Sequence, residues 1–144
     1  MCTLNAQLYL GDCFEWLKTL PDASVDFVCS DLPYGTTRAS WDYKVDLSAL
    51  WQELKRVIKP KAYVALFASG KQSFALANSN FKEFRYRYCW NKCGHVSMPW
   101  AANQRPLMSS EDILLFCTGQ GTYNPQRGDS PWGGGAIKSS DIAG

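Results

Sequence analysis

The sequence predicts an α/β domain built on a parallel sheet, and three features carry that expectation. Val25-Asp26-Phe27-Val28-Cys29-Ser30 and the run from Ala62 to Ala68 are short and nearly continuous in apolar residues, the pattern of strands buried on both faces. Between them, Asp46 precedes a segment in which Leu47, Leu50, Trp51, Leu54 and Val57-Ile58 share one helical face. Two aspartates, Asp12 and Asp31, each follow a predicted strand, at the carboxyl ends where open α/β sheets bind ligands.

The elements follow in order. Gln7 to Leu10 predicts a short strand ending at Gly11-Asp12. Phe14 to Leu20 places apolar residues at helical spacing and stops before Pro21. Val25 to Ser30 predicts a buried parallel strand, and Gly35 to Lys44 a polar loop. The helix capped by Asp46 leads into the strand Ala62 to Ala68, and Ser73 to Asn78 predicts a short helix. Arg85 to Lys92 alternates aromatic residues as a strand does, with Ile113 to Cys117 as its partner. From Thr118 onward Gly119, Gly121, Gly128 and Gly133-Gly134-Gly135, with Pro125 and Pro131, predict loop or mobile chain. The organisation expected is one domain over 1–127 and a Gly-rich mobile segment over 128–144.

Composition narrows the class. The 144 residues, 46% hydrophobic and 19% charged, suffice for one globular core. No apolar run approaches the roughly 20 residues of a membrane helix, and the N-terminus lacks the pattern of a secretory signal. A net charge of +2 does not by itself argue for nucleic acid. Local basic clusters carry more: Lys55, Arg56, Lys59 and Lys61, then Lys82, Arg85 and Arg87. Each reads equally well as a solvated face or a phosphate-binding patch. Six cysteines (Cys2, Cys13, Cys29, Cys89, Cys93, Cys117) accompany one histidine, His95. Only Cys89 and Cys93 are close, and no second close pair faces them, so the spacing argues against a metal site. Cys29 and Cys117 fall in predicted core strands, where a free thiol acts as a small apolar group. A reduced, cytoplasmic chain is expected.

The chemistry concentrates in Asp31-Leu32-Pro33-Tyr34. A strand that ends in a carboxylate, a rigid proline and an aromatic ring presents the groups that grip a planar base. The carboxylate and a backbone carbonyl accept hydrogen bonds from an exocyclic amine, and the ring stacks. An enzyme acting on a base in duplex DNA must swing it out and hold it in such a pocket. Asp31 also reads as a plain strand-end cap, and Tyr34 as a core tyrosine. Thr36 and Thr37 invite a nucleophile reading, but no base lies near them in sequence.

Ser30-Asp31-Leu32-Pro33-Tyr34-Gly35 resembles the Asp-Pro-Pro-Tyr catalytic motif of the amino DNA methyltransferases, which methylate the ring amino group of adenine or cytosine. The flanks are similar as well: Leu10-Gly11-Asp12-Cys13 and Leu20 to Asp26 before it, and Trp41-Asp42 after it. Leu54 to Pro60, Tyr63 to Ser69, Glu111 to Phe116 and Tyr123-Asn124-Pro125-Gln126 follow in the family's order, so the resemblance spans about residues 8–127.

It implies a Rossmann-like sheet, S-adenosylmethionine as methyl donor, double-stranded DNA as partner and a restriction–modification setting. By resemblance, Asp31 and the Leu32 carbonyl hold the amine, Pro33 stiffens the turn and Tyr34 stacks on the base. Asp12 with Gly11, Asp31 and Ser69 would face the cofactor, Asp12 equally serving as a helix cap. Leu32 replaces the family's usual proline and loses its rigidity while keeping the carbonyl. Trp41, Asp42 and Lys92 match family positions without an assigned role. Asp31, rather than serine, favours adenine over cytosine. RNA and protein-glutamine methyltransferases begin this motif with asparagine, which Asp31 does not match.

The family's Phe-x-Gly-x-Gly cofactor loop is missing, and the order resembles the permuted class, in which that loop comes last. The sheet is therefore expected to be incomplete in this chain. A missing C-terminal half or a second chain would supply the rest; otherwise the chain is a truncated DNA-binding remnant.

Overall fold

The computed structural model describes residues 5–35, 39–40, 42–96 and 99–125. The expectations that fall on Thr36, Thr37, Trp41 and the Gly-rich segment 128–144 lie outside the described residues. Among those described, helix α1 (Cys13–Thr19) precedes strand β1 (Val25–Asp31), and helix α2 (Leu47–Val57) precedes β2 (Ile58–Ala68). Helix α3 (Lys71–Ser79) then leads to β3 (Phe84–Asn91), a 3-10 turn (Pro99–Ala101) and β4 (Ser110–Phe116). The strands form one sheet in the order β1-β2-β4-β3.

β1 and β2 pair in parallel, with α2 as the crossover. β4 runs antiparallel to both β2 and β3. The sheet is thus mixed: the expected parallel pairing joins β1 and β2, and β3 and β4 add antiparallel strands. Among the described residues no α-helix crosses from β3 to β4, and strands joined without a crossover helix run antiparallel.

Local sequence explains the helices. Asp46 caps α2 by accepting from the Ser48 and Ala49 amides at 2.9 and 3.2 Å, and Leu50, Trp51, Leu54 and Val57 form its buried face. Arg56 ties α1 to α2, donating to the Leu17 and Leu20 carbonyls at 2.8 Å each and pairing with Asp22 and Glu53. Those carbonyls belong to the last turn of α1, where helical partners run out.

The core lies on one face of the sheet. Val64, Leu66 and Ala68 of β2 and Leu114 and Phe116 of β4 pack with Leu17, Leu50, Trp51, Leu54, Val57 and Leu76 of the helices. Trp51 lies 4.7 Å from Phe116, ring to ring, and its indole donates to Ser79 Oγ at 2.8 Å. Strand alternation sends the intervening residues to the other face. By register, that face carries Phe27, Cys29 and Asp31 of β1, and Tyr63, Ala65 and Phe67 of β2. It also carries Glu111, Ile113 and Leu115 of β4 and Tyr86, Tyr88 and Trp90 of β3. Phe27, Tyr86 and Tyr88 are each 55% exposed and Trp90 47%. No helix of the core cluster covers these rings.

Two expectations fail for related reasons. β1 is parallel as predicted, but among the described residues it is an edge strand rather than a buried one, and its bare face leaves Phe27 and Cys29 exposed. Gln7 to Leu10 forms no strand, and Leu8 and Leu10 are fully exposed. A strand needs a ladder neighbour, and among the described residues none lies beside this segment. Cys117, by contrast, is buried as expected.

The one-sided core predicts an asymmetric response to truncation. Leu66→Ala on the covered face should cost about 2–5 kcal/mol of unfolding free energy. Phe27→Ser on the bare face should cost no more than about 1 kcal/mol. Urea unfolding followed by circular dichroism measures both.

Candidate functional site

Asp31 is the last residue of β1 and sits opposite Phe67 of β2, at the carboxyl end of the parallel pair. The three residues after it are held from different directions. Leu32 packs against the hydrophobic core, so burial supplies part of the fixity that a proline would give by covalent geometry. Pro33 locks its own φ. Tyr34 folds back, and its hydroxyl donates to Asp31 Oδ1 at 3.0 Å. Burial first, then this hydrogen bond and the charges of Asp31 and Glu111, push the Tyr34 hydroxyl well above the usual tyrosine range. It is therefore a protonated donor at any ordinary pH.

The motif ends in a clamp. Gly35 adopts φ +64°, and a Cβ there would lie 3.1 Å from the Lys44 backbone nitrogen. Its amide donates to Asp42 Oδ1 at 2.7 Å. Asp42 is the one carboxylate among the buried described residues, and its own amide donates to the Ala39 carbonyl at 3.0 Å. A buried carboxylate is costly unless it accepts hydrogen bonds. Asp42 thus closes the loop after the motif, the role that sequence alone did not assign.

Other groups gather at the same end of the sheet. Phe67 and Trp90 meet edge to face at 5.7 Å, and Lys92 Nζ lies 5.6 Å from the Trp90 ring centre. Lys92 also forms an ion pair with Glu111, both side chains being largely buried. Ser69 directly follows β2 and opens the turn into α3, its carbonyl accepting from the Gln72 amide. Sequence reasoning missed Phe67, Trp90 and Glu111 as companions of Asp31. Only strand register brings them there, since Phe67 opposes Ile113, and Trp90 opposes Glu111.

Gly11 and Asp12 stand differently. Asp12 does not end a strand; it caps α1, accepting from the Phe14 amide at 2.7 Å. A Cβ on Gly11 would lie within 2.9 Å of the Tyr9 ring. One carboxylate oxygen is already engaged and the glycine is crowded by an aromatic ring, so these two residues do not by themselves make a nucleotide cradle.

The basic clusters are largely spent on the fold. Lys55 pairs with Glu83, Arg56 with Glu53 and Asp22, Lys59 with Asp26 and Arg87 with Asp112, while Arg85 donates to the Cys117 carbonyl. No trio of His, Cys, Asp or Glu side chains among the described residues comes together as metal ligands.

No family model matches the chain, and no curated protein matches it in sequence. Its fold does match solved structures. M1.HpyAVI bound to S-adenosylmethionine superposes with a TM-score of 0.61 at 17% identity, over 86% of this chain and 60% of that one. The cytosine-N4-specific PvuII DNA methyltransferase gives 0.60 at 14% identity, over 78% and 49%. A candidate DNA modification methylase of Thermus thermophilus, complexed with S-adenosyl-L-methionine, gives 0.58 at 20%, over 82% and 57%. The chain therefore shares the Rossmann-like α/β sheet of these structures. The chain spans about half the length of the structures it matches.

The Asp42 clamp makes a direct prediction. Asp42→Ala should cost about 1–3 kcal/mol, the usual loss for an unsatisfied partly buried donor, and should speed exchange of the Gly35 amide. Asp42→Asn keeps an acceptor oxygen and should retain most of both. Thermal unfolding and residue-resolved hydrogen exchange measure the pair.

Proposed function

We propose that this chain carries the base-gripping half of a DNA amino-methyltransferase. Its reaction is methyl transfer from S-adenosylmethionine to the exocyclic amino group of adenine in double-stranded DNA. The observation that carries the reading is Asp31 at the carboxyl end of β1, with Leu32 anchored in the core and Tyr34 beside it. This arrangement stands in a fold shared with DNA methyltransferase structures.

Asp31 accepts a hydrogen bond from the amine of an extruded base, and the Leu32 carbonyl accepts a second. Together they orient the amine nitrogen. Pro33 holds the turn, and Tyr34 stacks on the ring, a contact worth about 1–3 kcal/mol per base. When bound, S-adenosylmethionine supplies a methyl group already activated on a sulfonium. The protein's task is then chiefly positioning. Gly11, Asp12 and Ser69 are proposed to lie on the cofactor side, with further residues needed to complete that site. Adenine is favoured by the aspartate at the first motif position. The fold does not separate the two bases, since PvuII methyltransferase is cytosine-specific.

The half-length match and the bare aromatic face support one further element. The rest of the domain, supplied by a missing half or a second chain, would pair a strand with the free edge of β1, and helices packed on the bare face would cover Phe27, Tyr86 and Tyr88. Lys55, Arg56, Lys59, Arg85 and Arg87 are engaged within the fold, so phosphate contacts would draw on other positive groups as well. A cytoplasmic restriction–modification setting fits this reading. The alternative is a DNA-binding remnant without transferase activity, and binding of S-adenosylmethionine separates the two.

Expression in a methylation-deficient bacterial host, with mass spectrometry of nucleosides from its DNA, tests the reading. N6-methyladenine that falls about 100-fold or more in Asp31→Ala would establish the transferase, its target base and the sufficiency of this chain. N4-methylcytosine would move the target base. No methylated base from a well-folded chain would carry the remnant or split-enzyme reading instead.

A further inference from the structure

We propose that Tyr34 acts before it stacks: in the base-free protein its hydroxyl holds the acceptor position on Asp31 that the target amine takes, and the base enters by displacing it. The inference rests on the base-gripping reading above. Both groups are hydrogen-bond donors, and both seek the same carboxylate. The Tyr34 hydroxyl is already there, 3.0 Å from Asp31 Oδ1.

Geometry sets the competition. A carboxylate accepts best near its own plane. A tyrosine stacked on the base lies one van der Waals layer away from the plane in which the amine meets Asp31. Its hydroxyl then leaves the in-plane lone pair. One ring cannot stack on the bound base and keep the hydrogen bond in that direction.

The surroundings confine the exchange to the side chain. Asp31 is fixed by its pairing with Phe67, and Leu32 by the core. Pro33 has no free φ. The Gly35 amide is tied to Asp42 Oδ1 at 2.7 Å. With the backbone held on both sides, Tyr34 moves by rotating its side chain, not by remodelling the loop. Because the hydroxyl stays protonated, the competition does not vary through the neutral pH range.

The consequence is a gain of binding on removing one oxygen. Tyr34→Phe keeps the stacking ring and vacates Asp31. NMR titration of both proteins with adenosine, and with purine riboside, which lacks the amino group, reads the effect. Cytidine and its amino-free analogue run in parallel, and Asp31→Ala reports whether binding is at this site. Tyr34→Phe should bind adenosine about three- to tenfold more tightly than the wild type, with purine riboside unchanged. Equal or weaker adenosine binding by a folded Tyr34→Phe protein would overturn the proposal, as would an equal gain for both ligands. Failure of every nucleoside to bind either protein in an Asp31-dependent way would sink the base-gripping reading itself.

Discussion

Among the described residues, strand β1 is attached to the sheet through β2 alone, and the site depends on that pairing. The parallel register that sets Asp31 against Phe67 places a carboxylate at the open end of the sheet. The same register aligns Val28 and Ser30 with the covered face and Phe27, Cys29 and Asp31 with the bare one. A slip of one residue would exchange the two sets. Asp31 would then point toward the helices, and the motif after it would lose the anchor of Leu32 in the core.

Around this pairing the molecule is finished on one side only. Three helices, Trp51 and Phe116 close the covered face, and Arg56 locks α1 onto α2. The opposite face ends in half-exposed rings, and the edge of β1 has no neighbour among the described residues. Strands of this apolar character are ordinarily covered on both sides. The sequence of β1 therefore suits a larger domain better than the sheet formed by the described residues. The chain likewise matches only about half of each similar structure. The motif is already assembled, with Leu32 in the core and Gly35 on Asp42.

Much of this was legible in the sequence where the cause is local. Asp46 before a periodic apolar face specifies α2, and the same logic found α1 and α3 within a few residues. Asp31 to Tyr34 stood out because its groups are adjacent in the chain. What was hidden depends on partners. Phe67, Trp90 and Glu111 join the site only through strand register, which no local pattern encodes. Gln7 to Leu10 has strand-like composition but no ladder to join. The basic clusters looked like candidate phosphate contacts until Arg56, Lys59, Lys55 and Arg87 were seen to be engaged with carboxylates. Leu32 appeared as a loss of rigidity, and its burial, invisible locally, restores part of it.

Residue-resolved hydrogen exchange on the folded chain tests the central claim, a one-sided sheet with β1 as its free edge, most directly. Amides in the middle of β2 and β4, bonded on both sides, should exchange only with global unfolding. Alternate amides of β1 should exchange orders of magnitude faster, because they face solvent with no strand to accept them. Uniform slow exchange along β1 would contradict the account, since it would mean that the edge beside Asp31 is already paired.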